Sequence, residues 1–212
     1  MKVQQFSFNH FQTNCYLLWD EASNDCSVID PTPETHSEEQ RLALFISQNS
    51  LTVKRILLTH AHIDHIAGLK WACERFELPV TTHPDSNKLI RQSAAYAEIM
   101  GFAANDLGGI EYDYVGGGDK LALGTETIEC RYVPGHCPGS ICYVTQNPKM
   151  VFCGDALFRG SIGRTDLPGG DHDLLMDKIR TELLTLDDDT VVLPGHGECS
   201  SIGDEKKWNP FL

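Results

Sequence analysis

The chain has 212 residues, 41% of them hydrophobic, enough apolar material for one large domain with a core, which excludes a disordered chain. Lys and Arg number 17 against 30 Asp and Glu, a formal charge of −13, so phosphate backbones and anionic lipid are repelled and neither nucleic acid nor membrane is an expected partner. No apolar run reaches 18 residues, Met1–Gln5 lacks the apolar stretch of a secretory leader, and the eight cysteines form no CxxC pair; free thiols and a cytoplasmic location are expected.

Apolar alternation predicts strands over 2–8, 15–20, 26–30 and 53–59. Helical spacing over 37–49 places Leu42, Phe45 and Ile46 on one stripe, and a second helix is predicted over 64–76. A strand over 79–83 and a helix over 85–100 follow. Residues 101–118, with glycines at 101, 108, 109, 116, 117 and 118, read as a long loop. Strands are then predicted over 119–123, 127–133, 140–145, 149–154 and 190–194, with a helix over 171–185 opening on Asp171 as N-cap. This order predicts an α/β chain of four layers, two sheet-and-helix halves packed sheet to sheet.

Four of these strands end in metal-type donors: Ile56-Leu57-Leu58-Thr59-His60, Tyr132-Val133-Pro134-Gly135-His136, Val151-Phe152-Cys153-Gly154-Asp155 and Val191-Val192-Leu193-Pro194-Gly195-His196. Ligands of open α/β sheets bind beyond the carboxyl ends of strands, so such ends gathered on one edge would bring their donors to one spot. The glycines at 135, 154 and 195 allow sharp turns there. His60, His62 and Asp64 share parity, and a helix starting at Asp64 would swing His65 toward a neighbouring point. Counting donors, His60, His62 and His136 hold one cation, Asp64, His65 and His196 a second, and Asp155 bridges the two. Imidazole and carboxylate suit zinc first, then iron or manganese, and the lack of a thiolate argues against copper(I) or an iron–sulfur cluster. His83 lacks a supporting donor, and His10, His36 and His172 read as structural.

The series His60-x-His62-x-Asp64-His65, then His136, Asp155 and His196, resembles the metallo-β-lactamase superfamily across nearly the whole chain. That resemblance implies an αββα sandwich of two mixed sheets flanked by helices, here one domain over 1–212 with a helical, glycine-rich insertion near 84–118. Ser27-Val28-Ile29-Asp30-Pro31 is similar to the family's first motif, with Thr32 where glycine is usual; Asp30 is expected to orient ligands. Phe158 to Asp166, with Gly169-Gly170-Asp171, Pro194-Gly195-His196-Gly197 and Asn209-Pro210-Phe211, resembles short glyoxalase II-like thioesterases. Common lactamases carry cysteine where Asp155 stands, so antibiotic hydrolysis is not expected. Only 16 residues follow His196, so the helical domain that helps full-length glyoxalase II bind glutathione is not expected, and glutathione specificity is not implied.

The expected reaction is hydrolysis of a small-molecule thioester such as S-D-lactoylglutathione, with two divalent cations supplying a hydroxide that attacks the carbonyl. Asp64 is expected to serve catalysis as well as the second cation. Arg159 and Arg164 are candidates for docking an anionic substrate, Arg164 alternatively for bracing its loop. One rival is a persulfide dioxygenase with a single iron, another a metal-dependent interaction protein without turnover.

Overall fold

The computed structural model describes residues 1–103 and 106–212; of the predicted loop 101–118, residues 104 and 105 lie outside the described ones. Strands β1 (Lys2–Phe8), β2 (Thr13–Trp19) and β3 (Asp25–Ile29) lead into helix α1 (His36–Gln48), strand β4 (Thr52–Leu57) and helix α2 (Leu69–Phe76). Strand β5 (Val80–Thr82), helix α3 (Asn87–Met100) and strand β6 (Tyr112–Tyr114) complete one sheet, ordered β1-β2-β3-β4-β5-β6. It is antiparallel up to β3 and parallel from β3 to β6.

The second sheet uses β7 (Lys120–Leu123), β8 (Glu126–Tyr132), β9 (Ile141–Gln146), β10 (Lys149–Gly154), β13 (Val191–Pro194) and β14 (Ser200–Ser201) in the order β14-β13-β10-β9-β8-β7. Between β10 and β13 the chain forms the small hairpin β11 (Leu157–Phe158) and β12 (Ser161–Ile162), then helix α4 (His172–Lys178); helix α5 (Ile202–Trp208) closes it. Since β8 and β9, and β9 and β10, are antiparallel while β10 and β13 are parallel, β8, β10 and β13 all run one way and end on one edge.

Alternation within strands builds the layers, because successive side chains point to opposite faces. In β2, Tyr16 and Leu18 join Phe152, Tyr143 and Leu193 between the sheets, while Cys15 and Leu17 pack outward with Leu42 and Ile46 of α1. In β10, Met150 and Phe152 face the other sheet, and Val151 and Cys153 face Leu175, Ile179 and Ile202 on the opposite outer layer. The result is the expected helix–sheet–sheet–helix order. All eight cysteines are free thiols, six of them buried.

The segment predicted as a helix over 64–76 becomes helical only at Leu69. Tertiary partners claim its first backbone groups: the Asp64 carbonyl accepts from Asn9 Nδ2 at 3.1 Å, and Gly68 N–H donates to Pro31 O at 3.0 Å. A helical 64–68 would need those groups for its own ladder. The predicted loop 101–118 contains β6, a three-residue edge strand paired to β5 and too short to show alternation. The predicted helix over 171–185 is α4 followed by one π turn, Ile179–Leu183, and Asp171 caps it through Leu174 N–H at 3.0 Å. Helix α5 escapes sequence reading because Gly203-Asp204-Glu205-Lys206-Lys207 shows no apolar stripe; Ile202 and Glu205 anchor it by tertiary burial.

Asp20, in the turn after β2, clamps the two sheets together. Its carboxylate accepts from Thr125 N–H at 2.9 Å and Oγ1 at 3.2 Å in the β7–β8 turn, and from Ala22 N–H and Ser23 Oγ at 3.1 Å. The Thr125 and Ala22 amides hold its carboxyl down to about 2. An ordinary Asp titrates near 3.9, so this stabilisation is complete above about pH 4 and is lost as pH falls toward about 2. Urea midpoints of wild type and Asp20→Asn are therefore expected to differ at pH 7 and to converge near pH 2; a difference unchanged over that range would remove the clamp.

Candidate metal centre

The four donor-bearing strand exits meet where the edges of the two sheets adjoin: β4 contributes from the first sheet and β8, β10 and β13 from the second. Main-chain bonds hold the exits in place, with Ile141 N–H on Thr59 O at 2.8 Å and Gly195 N–H on Gly154 O at 2.8 Å. The turn before His196 is gripped from β2, where Tyr16 O–H and Asn14 Nδ2 both donate to Pro194 O, at 2.7 and 2.9 Å. Gly135 and Gly154 turn with positive φ, 124° and 49°, as expected. Gly195 differs, since there the reason is space: a Cβ would sit 2.1 Å from Asp155 Oδ1 and 2.6 Å from His65 Cε1.

Two donor groups result. His60, His62 and His136 bring ring nitrogens within 4.8 Å of one another, as do the donor atoms of Asp64, His65 and His196. Asp155 lies between them: Oδ1 is 3.3 Å from His65 Nε2, and Oδ2 is 3.7 Å from His136 Nε2 and 3.6 Å from His196 Nε2. His136 Nε2 and His62 Nδ1 face each other at 2.8 Å, and His196 Nε2 lies 3.1 Å from Asp64 Oδ2. The extended segment expected to put His60, His62 and Asp64 on one side is not formed: 58–68 is irregular backbone, and a turn separates His62 from Asp64.

A network behind the donors sets which ring nitrogen each histidine presents. His65 Nδ1–H donates to Asp30 Oδ2 at 2.9 Å, and His136 Nδ1–H to the Arg164 carbonyl at 2.8 Å. Thr59 donates its amide to Asp30 Oδ1 at 2.7 Å and its hydroxyl to Oδ2 at 2.6 Å, so its oxygen accepts from His60 Nδ1–H at 3.1 Å. Three imidazoles therefore turn Nε2 inward, the atom a cation would take. Thr13 Oγ1 donates to Asp64 Oδ2 at 2.9 Å. Thr32 fits where glycine is usual, buried with its hydroxyl on Thr13 O at 3.3 Å.

The site is poorly satisfied by protein alone. His60 Nε2, His65 Nε2 and Asp155 Oδ1 are buried without a hydrogen-bond partner, a costly condition that a cation among them would relieve. Burial and the neighbouring imidazoles push His60 far down and His62 down to about 4, and burial also lowers His136. Burial acts the same way on His65, but Asp64 and Asp155 outweigh it and hold its imidazole well above the usual range. Burial likewise opposes the rise at His196, which the Asp64 hydrogen bond and Asp155 produce. Asp64 and Asp155 fall below the ordinary carboxylate range because His65 and His196 overcome the cost of burying them. Burial thus favours neutral imidazole in one trio, while Asp64 and Asp155 favour charge on His65 and His196 in the other. The donor set fits two divalent cations, the second displacing protons as it binds.

The two arginines stand apart from this cluster. Arg164 makes a two-pronged pair with Asp166 at 2.8 Å, and its carbonyl, not its guanidinium, touches a site histidine. Arg159, on the hairpin that follows Asp155, pairs with Glu198 beyond His196. His83 stacks on Tyr132 with ring centroids 4.1 Å apart, and His10 pairs with Glu34 at 3.2 Å. Sequence reasoning missed Thr13, Thr59 and Cys137. The Cys137 thiol lies within 4.8 Å of the nitrogens of His60, His62 and His136, and burial pushes it up to about 12. Its place beside His136 was the available signal; for Thr13, 51 residues from Asp64, there was none.

The sequence profile of the metallo-beta-lactamase superfamily matches residues 9–196. The chain is 36% identical to hydroxyacylglutathione hydrolase GloC of Haemophilus influenzae, covering 100% of this chain and 98% of that one. Among solved structures it is similar to BLEG-1 B3 metallo-beta-lactamase (34% identity, 100% and 99% of the two chains, TM-score 0.90) and to TTHA1623 in a di-iron-bound form (33%, 99% and 100%, TM-score 0.88). ETHE1 from Myxococcus xanthus is more distant, at 29% identity over 99% of this chain and 84% of that one, with a TM-score of 0.78.

Proposed function

The chain belongs to the metallo-beta-lactamase superfamily, and from that premise we propose that it is a two-metal hydrolase of small acyl thioesters such as S-D-lactoylglutathione. The observation carrying this reading is the pair of complete donor trios with Asp155 between them. His60, His62 and His136 would hold one cation, Asp64, His65 and His196 the other, with Asp155 shared. Zinc is the first assignment and iron or manganese the alternatives. When bound, two such cations supply hydroxide at neutral pH and polarise a carbonyl oxygen.

The chain's own residues do the rest. Thr13 and His196 both address Asp64 Oδ2, leaving Oδ1 to accept a hydrogen bond from the nucleophile and orient it. Asp30, through His65 and through Thr59 to His60, keeps the imidazoles from rotating. His196, 29% exposed in its side chain, marks the open side where substrate enters. The departing thiolate requires little acid assistance, because a free thiol titrates near 8.5. Free thiols and the absence of any described helix long and apolar enough to cross a membrane support a cytoplasmic enzyme.

Arg159 is assigned to docking the substrate's acidic end, and Arg164 to its loop and to His136. Because Arg159 already shares its charge with Glu198 in an exposed pair, Arg159→Ala is expected to raise the Michaelis constant only about two- to fivefold; an unchanged constant removes Arg159 from binding.

The similarity to ETHE1 keeps a second reading, a mononuclear iron persulfide dioxygenase. One preparation separates the two: elemental analysis run beside assays with S-D-lactoylglutathione, other acyl thioesters, a β-lactam, and glutathione persulfide under oxygen. Two metals per chain with thioester turnover supports the hydrolase. One iron per chain with oxygen uptake overturns it.

A further inference from the structure

Cys137 is fully buried, yet its surroundings differ from those of the other buried cysteines. Cys15, Cys26, Cys130, Cys142 and Cys153 each pack inside a hydrophobic cluster, where a thiol acts as a small apolar side chain. Cys137 belongs to none of the clusters among the described residues. Its sulfur instead lies within 4.8 Å of a ring nitrogen of each of His60, His62 and His136. Spacing along the chain predicts no thiol at this centre; the fold puts one there.

The turn that carries Cys137 is fixed against the end of β4. Ile141 N–H donates to Thr59 O at 2.8 Å, Val133 N–H donates to Ser140 O at 2.9 Å, and Pro138 restricts the backbone of the residue before it. Ser140 Oγ gives its proton to Cys137 O at 3.0 Å, so in the 3.4 Å contact between Cys137 Sγ and that hydroxyl oxygen the thiol is the donor. Such a contact is weak and leaves lone pairs on the sulfur. Across the cluster, His60 Nε2 is buried with no hydrogen-bond partner, a costly state for a ring nitrogen unless a cation meets it. Donors around a tetrahedral zinc ion, at about 2.0–2.3 Å from the metal, stand roughly 3.3 to 3.7 Å from one another, so four donors already within 4.8 Å need only small side-chain shifts.

We propose that Cys137 is the fourth ligand of the first cation, completing with His60, His62 and His136 a set of three nitrogens and one sulfur. The inference rests on the reading of that trio as a cation site, and it adds what the site selects: a thiophilic ion, zinc before iron or manganese. The second trio, with Asp64 in it, offers carboxylate oxygen in place of sulfur, so the two positions differ in the ions they favour. On binding, the S–H bond breaks, the sulfur's electron pair goes to the cation and the proton passes to solvent water.

Zinc-loaded wild-type protein provides the first test: zinc-edge X-ray absorption should require a sulfur scatterer at about 2.3 Å. The cobalt(II)-loaded protein should show a sulfur-to-metal charge-transfer band that Cys137→Ser lacks and that Cys73→Ser/Cys199→Ser, which removes the two less buried thiols, retains. In competition with a chelator, Cys137→Ser should weaken cadmium binding by on the order of a hundredfold and manganese binding by less than about threefold. A zinc shell of nitrogen and oxygen alone, a charge-transfer band that survives in Cys137→Ser, or equal losses for cadmium and manganese overturns the inference. The X-ray measurement requires no variant, so it decides the matter even where Cys137→Ser fails to fold. Sulfur ligation without thioester turnover removes the functional reading and leaves this one standing; thioester turnover with two cations and no sulfur ligand does the reverse.

Discussion

Asp155→Asn is expected to lower thioester turnover by on the order of a thousandfold and to cut metal content to about half or less. The substitution keeps the shape of the side chain and removes the charge that lies within 3.7 Å of His65, His136 and His196. A neutral amide can lend one oxygen to one cation; it cannot neutralise two. The folded chain should persist, because Asp155 contributes no strand pairing and its Oδ1 lacks a hydrogen-bond partner in the protein. Elemental analysis, steady-state kinetics and far-ultraviolet circular dichroism on one sample decide the matter. A variant that kept full metal content and wild-type kcat would remove Asp155 from the shared position.

Asp30 should show the second large effect, and two substitutions separate its roles. Asp30→Ala leaves the buried Thr59 amide and hydroxyl and the His65 Nδ1–H without their acceptor. Stranding such groups costs about 3–5 kcal/mol, so the melting temperature should fall by roughly 10 °C. Asp30→Asn still offers one oxygen to the Thr59 amide, but its NH₂ group can meet His65 only if the imidazole takes the other tautomer, which turns a protonated Nε2 toward the site. Most stability should be retained while metal affinity drops about 10- to 100-fold, read by competition with a chelator. Equal affinities for Asp30→Asn and wild type would show that His65 is oriented by packing alone.

The donors were legible before the fold was. His60, His62, Asp64, His65, His136, Asp155 and His196 stand at or just after strand exits, and a chemically rare side chain at such a place is visible in one dimension. What orients them was hidden. Thr59 reads as one more β-branched residue at the end of an apolar run, and only the position of Asp30 opposite it turns the hydroxyl into a link to His60. Arg164 drew notice for its charge, yet contributes to the site through a carbonyl, a group every residue carries. In sequence, glycine at 195 reads as a turn residue, whereas the packing of Asp155 and His65 against it makes it a matter of volume.

Hydrophobic period and donor spacing by themselves determined the layer order, the strand exits and the seven ligand candidates, because each is a property of neighbours along the chain. Tertiary structure alone decided that helix α2 waits until Leu69, that β6 and α5 exist, and that Arg159 on the hairpin after Asp155 is engaged by Glu198. The physical reason is common to all of them. A backbone amide, a short edge strand or a charge takes its role from the partner that long-range folding places against it, and that partner lies tens of residues away in sequence.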